Sequence, residues 1–382
     1  MDKHDEFKTL LYQTVYDNFC DETFALSQLK TLRDWIKSNL PKRLFRYRQF
    51  NENNLNALRN DEIWGSQVTK YNDPYEYIPC YDIKKVNQFL NNEFDENVIA
   101  QQLSILKAGD SPQKFKNLFN EKTFHALIEN VAKIEDISAV AKGISAQKPC
   151  IVQYLQSKLD AIIEDFFVNV AQAEMKYNIA CFSENNNSPL MWGHYADGHK
   201  GFCLEYDFTE NLTDCNQSCG NIRACSKFLL EIPIAPICYS KHRLDATAGI
   251  LSIIQQRLKN EIGLGMNDYF PDMLLCIKCL LTKASDWHYE KEWRLFDYFS
   301  DEFKQYRPIM NKKAKAIYLG ISMFQEHKQK LLSIAEEKEI PCYQVVPSYE
   351  TSEFIYIPIR IFDGKKHLSE LLEECGIENT PV

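Results

Sequence analysis

The sequence lacks long apolar runs. No stretch of about 18 or more consecutive apolar residues occurs, the length that a membrane-spanning helix requires, and the longest apolar patch, MLLCIKCLL at 273–281, is interrupted by a lysine. The first residues, MDKHDEFKTL, hold no apolar core followed by small residues, so they do not resemble a secretory signal. We therefore expect no membrane span, no secretory signal and a cytoplasmic location.

Basic charge is also scarce. Lys and Arg number 44 against 53 Asp and Glu, which gives a net charge of −9. General binders of nucleic acid or of anionic membranes present a basic surface, so this balance argues against both, although a local basic site stays open. No internal repeat or low-complexity segment occurs, and 45% hydrophobic and 13% aromatic residues predict a folded chain with a sizeable core.

The 13 cysteines are odd in number and scattered, which is typical of reduced thiols and not of a disulfide framework. Cys276 and Cys279 have C-x-x-C spacing, but they lie in a helical pattern without a second pair, so we interpret them as packed helix residues. Cys215, Cys219 and Cys225 lie in a polar loop that offers no fitting fourth ligand. We therefore expect no metal site.

Hydrophobic periodicity predicts an α+β protein with a mixed, mainly antiparallel sheet. Strands are predicted at 43–50, 62–66, 178–183, 201–208, 235–240, 288–296, 315–320, 342–346 and 354–359. Helices are predicted at 6–38, 51–60, 188–196, 247–284 and 323–338, the fourth of them broken near Gly263–Gly265 or Pro271, and helical periodicity dominates residues 84–176. These patterns divide the chain into an N-terminal helical segment (1–40), an α+β core (41–83 and 177–362), a helical insertion (84–176) and a C-terminal tail (363–382).

Two arginines stand out on the first predicted strand. Arg46 and Arg48 fall on one face of the strand because side chains alternate along it. Paired guanidinium groups can clamp phosphates or a carboxylate in bidentate fashion. The alternative is the charged outer face of an edge strand.

The stretch at 181–208 is dense in unusual side chains. Trp192, His194, Tyr195, Asp197 and His199 crowd the end of a predicted helix and the turn into a strand, where sites commonly form. The alternative is a Trp and Tyr core cluster with histidines at its rim.

The stretch HYEKEWRLF at 288–296 raises the most specific question. If it forms a strand, Glu290, Glu292, Arg294 and Phe296 share one face. A carboxylate near a ribose can accept a hydrogen bond and stabilise an oxocarbenium-like transition state, and a second one can act as a general base. Arg294 would keep one of the carboxylates ionised.

The alternative is a surface ladder of ion pairs, which contributes little stability. However, Trp287, Tyr289 and Trp293 surround the motif, and aromatic side chains commonly line small-molecule pockets. The pattern therefore favours a pocket in which the two glutamates face a small ligand.

Four sequence blocks occur in order between Arg46 and about residue 322. They are RYRQFNENNLNALRNDEIWGSQVTKYNDPYE, CFSENNNSPLMWGHYADGHKGFCLEYDF, KASDWHYEKEWRLF and IYLGISM. These blocks are rich in Trp, His and Tyr, and they resemble the bacterial family of domains of unknown function DUF2971. The resemblance leaves out the helical regions 1–40 and 84–176, and the family implies no established function.

The chain also has an arginine on an early strand, an aromatic residue in the middle and a Glu-x-Glu pair near the end. This order is similar to that of ADP-ribosyltransferases, in which the arginine binds the diphosphate or ribose of NAD, the aromatic ring stacks on nicotinamide and the glutamate contacts the ribose. The resemblance implies NAD as a substrate. It gives these roles to Arg46 or Arg48, to Tyr195 or Trp192, and to Glu292 assisted by Glu290.

We therefore predict a cytoplasmic bacterial enzyme that acts on NAD or another nucleotide, by ADP-ribosyl transfer or by cleavage of the nicotinamide bond. Such an enzyme would fit a toxin or a phage-defence effector. The predicted catalytic residues are Glu292, Glu290 and Tyr195. The predicted ligand-binding residues are Arg46, Arg48, Trp192, His194, His199 and Arg294.

Two alternative functions stay open. The chain could be a non-catalytic module that senses a small ligand, or that docks a protein partner through the helices of 84–176. His194, His199 and acidic neighbours could instead form a metal-dependent hydrolase, which we do not expect because their spacing matches no standard zinc set.

Overall fold

A computed structural model describes most of the chain. The described residues are 2–14, 22–68, 71, 73, 76–92, 95–108, 121–174, 176–211, 234–262, 272, 274–298, 308–348, 350–351 and 353–360. The predicted C-terminal tail and the loop cysteines Cys215, Cys219 and Cys225 lie outside these ranges.

Within the described residues, eight strands form a main sheet and four more form two separate pairs. The strands are β1 (Leu44–Arg48), β2 (Glu62–Ile63), β3 (Tyr177–Ser183), β4 (Phe202–Tyr206), β5 (Ile234–Pro236), β6 (Cys238–Ser240), β7 (Thr282–Ala284), β8 (Glu292–Tyr298), β9 (Met310–Asn311), β10 (Ala316–Leu319), β11 (Cys342–Pro347) and β12 (Phe354–Arg360). The main sheet has the order β12–β11–β10–β4–β1–β3–β8–β5, while β2 pairs with β9 and β6 pairs with β7.

Neighbouring strands of the main sheet run antiparallel, except β10 and β11, which are parallel. The predicted α+β class with a mixed, mainly antiparallel sheet is therefore confirmed. The described helices are α1 (Lys3–Gln13), α2 (Glu22–Asn39), α3 (Glu52–Arg59), α4 (Ile83–Asn92), α5 (Glu96–Lys107), α6 (Glu121–Ala132), α7 (Ile137–Ala146), α8 (Lys148–Glu174), α9 (Pro189–Tyr195), α10 (Thr247–Ile262), α11 (Leu275–Leu280) and α12 (Gln325–Glu337).

Two short helices near the site begin at capping residues. The Asn51 side chain accepts a hydrogen bond of 2.9 Å from the backbone N–H of Asn54 at the start of α3. Ser188 caps α9 by accepting from Met191 at 3.3 Å, and Pro189 occupies the first helical turn, where its missing N–H leaves no bond unmade. Both helices begin where the sequence predicts them, and α9 carries the predicted Tyr195.

The main core joins the N-terminal helices to the sheet. Phe7, Leu11 and Ile36 are fully buried in the same cluster as Trp293 of β8. The residues of 83–174 that the structure describes form helices and their connections. Of these, α4 and α8 share a second buried cluster with α10, where Phe166 packs with Ile250.

Several predicted elements differ from the structure in their bounds. The predicted helix 6–38 is divided into α1 and α2, since Thr14 after α1 has an extended backbone, and the predicted strand 62–66 is limited to β2. The predicted helix 247–284 ends at Leu280, and its last predicted residues form β7, which pairs in parallel with β6. The break predicted near Gly263–Gly265 or Pro271 lies outside the described residues. The predicted strand 235–240 is divided between β5 and β6, because the N–H of Ile237 donates to Glu292 while that of Cys238 donates to Leu281. The predicted strand 288–296 begins only at Glu292, since Ser285–Glu290 is a 3-10 helix.

Candidate functional site

A cavity of about 420 Å³ lies where the three segments singled out in the sequence meet. Residues 45–49 form one wall, and further lining comes from α9, from the end of the 3-10 helix and from β8. Tyr71, Asp73 and Glu76, which follow β2 in the chain, line it as well. The early strand, the central helix and the late acidic motif therefore contribute to one cavity.

The cavity lies at a gap in the main sheet. β1 pairs with β4 over five residues but with β3 at the single position Phe45–Ser183, and all residues of these strands are described. Directly paired residues share a face, so the register puts Glu292 on the Phe45 face and Arg46 on the opposite face. Arg46 and Glu292 nevertheless line the same cavity, because β1 and β3 separate beyond the one pair.

Glu290 and Glu292 share a lysine that the alternation pattern does not indicate. Lys283 Nζ donates to Glu290 Oε2 at 2.6 Å and to Glu292 Oε2 at 3.0 Å, and all three side chains are buried. The ammonium also lies 5.0 Å from the centre of the Trp287 ring. Burial disfavours the charged lysine, but the two carboxylates outweigh this effect and raise the pKa of Lys283 well above its ordinary value.

Arg294 holds the second glutamate and connects it to the turn after β2. Its Nε donates to Glu292 Oε1 at 2.7 Å, and its Nη1 donates to the carbonyl of Leu280 at 2.5 Å. The same guanidinium pairs with the buried Glu76. Burial lowers the pKa of Arg294 to about 10. Glu292 is therefore fixed by two cations, and Glu76 is fixed by one of them.

Glu290 is set up to exchange a proton near neutral pH. Burial and then the neighbouring Glu292 charge raise the pKa of Glu290 to about 7, although Lys283 and Tyr195 act to lower it. The Tyr195 hydroxyl donates to Glu290 Oε1 at 2.6 Å, and the Ser183 hydroxyl donates to the Glu290 backbone carbonyl at 2.6 Å. A carboxyl group with such a pKa, facing a cavity, is typical of general acids and bases.

The two arginines of β1 have no carboxylate partner among the described residues. Arg46 donates to the carbonyl of Trp64 and lies 5.5 Å from the centre of the Phe182 ring. Burial and the charge of Arg48 lower the pKa of Arg46 to about 9, and burial lowers the pKa of Arg48. Because a desolvated cation without a counter-charge costs free energy, this end of the cavity is suited to an anionic ligand group.

Trp192 is not at the cavity, which corrects one predicted ligand-binding residue. Its side chain is fully buried and packs edge-on against Tyr47, with ring centres 5.2 Å apart. Its indole N–H donates to the carbonyl of Asn186 at 2.8 Å. Trp192 belongs to the core cluster that the sequence left as the alternative, so it cannot stack on a ligand.

The two predicted histidines lie in different surroundings. His194 is exposed and lines the cavity, with its ring centre 6.3 Å from that of Trp287. His199 does not line this cavity and packs edge-on against Phe354, with ring centres 5.9 Å apart, so its predicted ligand contact stays a prediction. In the part of the chain that the structure describes, no group of three or more His, Cys, Asp or Glu side chains is placed to hold a metal.

Three further charged residues complete the cavity. Lys283 and Glu76 form the ion pairs described above, and Asp73 is buried near Arg294. All three lie in sequence blocks that resemble DUF2971, namely NDPYE and KASDWHYEKEWR. The family resemblance could therefore have indicated these residues as part of the site, whereas strand alternation did not.

Charge is unevenly distributed across the cavity. Arg46 and Arg48 line it without a carboxylate partner among the described residues, whereas Glu76, Glu290 and Glu292 line it paired with Lys283 or Arg294. Guanidinium groups recognise phosphate, and carboxylates recognise hydroxyl groups and developing positive charge. The arrangement is suited to a ligand with an anionic group at one end and a ribose-like group at the other.

No helix of the described residues is long and apolar enough to cross a membrane.

Comparisons with known proteins test the resemblance to DUF2971. No curated protein and no solved structure matches the chain, so the similarity to ADP-ribosyltransferases stays a prediction. A family model described as "Protein of unknown function (DUF2971)" matches residues 191–295, which include Tyr195, Lys283, Glu290, Glu292 and Arg294. The predicted resemblance to DUF2971 is thus confirmed over residues 191–295.

Proposed function

We propose that this chain binds NAD or a closely related nucleotide and breaks the bond between nicotinamide and ribose, passing the ADP-ribosyl group to water or to an acceptor. The charge distribution of the cavity carries this proposal. Arg46 and Arg48 have no carboxylate partner among the described residues, so they are available for the diphosphate. Glu290 and Glu292 share Lys283 in the same cavity, and the ribose would lie against them.

The reaction requires stabilisation of positive charge on the ribose. As the carbon–nitrogen bond breaks, its electron pair leaves with nicotinamide and the ribose gains oxocarbenium character. Glu292, which Lys283 and Arg294 hold in place, would stabilise this charge. Water or an acceptor hydroxyl would then attack the same carbon and give its proton to Glu290, whose pKa of about 7 suits a general base.

Tyr195 would act through Glu290 and not on the ligand itself. Burial raises the pKa of Tyr195 far above its ordinary value, so its hydroxyl keeps its proton and donates to Glu290 Oε1 at 2.6 Å. It is therefore a positioning residue in this proposal, and His194 and Trp287 would wall the nicotinamide end of the cavity.

Nicotinamide release from NAD tests the proposal. We expect Glu292→Gln to lower turnover by about 100-fold or more, the size of effect found when one charge-stabilising group is removed. Glu290→Gln should also lower it, whereas Glu205→Gln is a matched control, since Glu205 pairs with the exposed Arg43 away from the cavity. Circular dichroism would establish that each variant is folded. Equal turnover in wild type and folded Glu292→Gln would refute the proposal.

A second candidate function is ligand sensing without turnover. The observation that favours it is that Lys283, Arg294, Glu76 and Glu292 already pair with one another while buried, as a structural lattice would. A bound nucleotide would then stabilise the fold by mass action. A rise in melting temperature with NAD, without any product, would favour sensing over catalysis.

A further inference from the structure

A second cavity adjoins the first at the arginine pair. Its volume is also about 420 Å³, and the residues that line both cavities are Arg46, Arg48 and Asn54. We call the cavity that contains Glu290 and Glu292 the acidic compartment. We call the second cavity the amide compartment, defined by Asn53, Asn54, Asn56, Trp64 and Tyr206. The two guanidinium groups therefore lie between two spaces of similar size.

The amide compartment offers an aromatic face and several amides. Trp64 is 39% exposed, and its indole N–H donates to Glu62 at 2.8 Å, which holds the ring in place. The Asn54 amide donates to the carbonyl of Gln49 at 2.8 Å, which fixes its orientation. Nucleobases are recognised by stacking on aromatic rings and by hydrogen bonds to their edges, and asparagine amides can both donate and accept such bonds.

Tyr206 supplies an independent indication of a ligand. Its side chain is 3% exposed and lines the amide compartment, and its hydroxyl has no hydrogen-bond partner within the described residues. Burial raises the pKa of Tyr206 to about 12, so the hydroxyl keeps its proton and can donate. An oxygen of a ligand in this compartment would give the hydroxyl an acceptor.

We propose that the amide compartment binds the adenosine half of a dinucleotide, with its diphosphate between Arg46 and Arg48 and its nicotinamide riboside in the acidic compartment. The assignment of the acidic compartment rests on the proposed function. Residues two apart on a strand are separated by about 7 Å, so both guanidinium groups can reach one diphosphate. The two cations match its two negative charges, and the compartments accommodate its two ends. The chain therefore selects dinucleotides over mononucleotides.

Calorimetric titration with three probes tests this assignment: inorganic pyrophosphate, ADP and NAD. In Trp64→Ala, we expect ADP and NAD to bind about ten-fold more weakly or worse, because base stacking is lost, while pyrophosphate binding is unchanged. Tyr206→Phe should weaken ADP binding several-fold without altering the shape of the core. Phe324→Ala is the control, because Phe324 is 59% exposed and lies outside both compartments.

The outcomes separate this inference from the proposed catalysis. Equal ADP affinity in wild type and Trp64→Ala would overturn the adenosine assignment, and so would a wild-type chain that binds no ADP. If ADP binding depends on Trp64 but NAD is not cleaved, the adenosine assignment of the amide compartment is supported and the proposed cleavage reaction is refuted.

Discussion

Lys283 Nζ lies 2.6 Å from Glu290 Oε2, although these two side chains are only 7% and 3% exposed. The same ammonium reaches a second carboxylate, that of Glu292, at 3.0 Å. Two buried carboxylates side by side repel each other, and a shared cation reduces this repulsion. Lys283 is therefore the cation that Glu290 and Glu292 share, while Arg294 pairs with Glu292 alone of these two.

Replacing Lys283 by methionine should destabilise the chain by about 3–5 kcal/mol at neutral pH, because it leaves the buried Glu290 without its counter-charge beside the Glu292 carboxylate. Urea denaturation measures the loss. The double variant Lys283→Met with Glu290→Gln should regain part of the lost stability, since one of the two repelling charges is gone. A double variant no more stable than the single one would contradict the shared role of the lysine.

Glu290 should make the chain less stable as the pH rises. Its pKa is about 7 in the folded state against an ordinary 4.5, so between these values the folded state holds more protons than the unfolded state. The stabilisation is fully present below pH 4.5 and is lost as the pH rises through 7. Between acid and neutral pH, the free energy of unfolding of Glu290→Gln should therefore rise relative to that of wild type by on the order of a few kcal/mol. Urea titrations across this range that give a constant difference would speak against the raised pKa.

Arg48→Met should separate binding from stability. Without ligand, we expect its free energy of unfolding to stay the same or rise by about 1 kcal/mol, because a desolvated and unpaired cation is removed. Its affinity for pyrophosphate should fall more than ten-fold by calorimetry. Arg43→Met is the matched control, since Arg43 is exposed and donates twice to Glu205 at 2.9 Å. Unchanged pyrophosphate affinity in Arg48→Met would exclude this arginine from the anion site.

Tyr195→Phe should raise the pKa of Glu290 further. The Tyr195 hydroxyl stabilises the ionised carboxylate through its 2.6 Å hydrogen bond, and a bond of this kind contributes about 1 kcal/mol, or most of one pKa unit. The pH at which turnover or stability changes should therefore move upward. A profile that moves downward would show that the tyrosine acts on Glu290 in some other way.

Trp192→Phe should reveal a core residue. We expect a loss of about 1–3 kcal/mol in the free energy of unfolding, because a buried ring is reduced in volume and the hydrogen bond to Asn186 is removed. ADP affinity should match that of wild type, because the side chain is fully buried away from the cavity. Weaker ADP binding in a folded variant would show that Trp192 contributes to the ligand site.

Elements with local signals were predictable from the sequence. Asn51 and Ser188 cap α3 and α9 as their side-chain chemistry predicts, and alternation located β1 and the arginine pair. The α+β class followed from the order of such elements. These features depend on residues a few positions apart, for which short-range sequence patterns are informative.

The details of the acidic site could not be predicted in the same way. Alternation placed Glu290 on a strand, whereas Lys291 adopts a left-handed φ of 44° after a 3-10 helix, and this turn brings Glu290 to Lys283. Lys283 itself lies on β7, whose pairing with β6 joins segments over forty residues apart. Such contacts are set by tertiary packing, and no local periodicity encodes them.

The single pair between Phe45 and Ser183 has a mechanical consequence. It divides the main sheet into two blocks, β12 to β1 and β3 to β5, which are joined at one point along this seam. The unpaired arginines belong to the first block and Glu292 with Arg294 to the second. A molecule that spans the seam would clamp the blocks together, so slower amide exchange at Phe45 would report that the cavity is occupied, whatever chemistry follows.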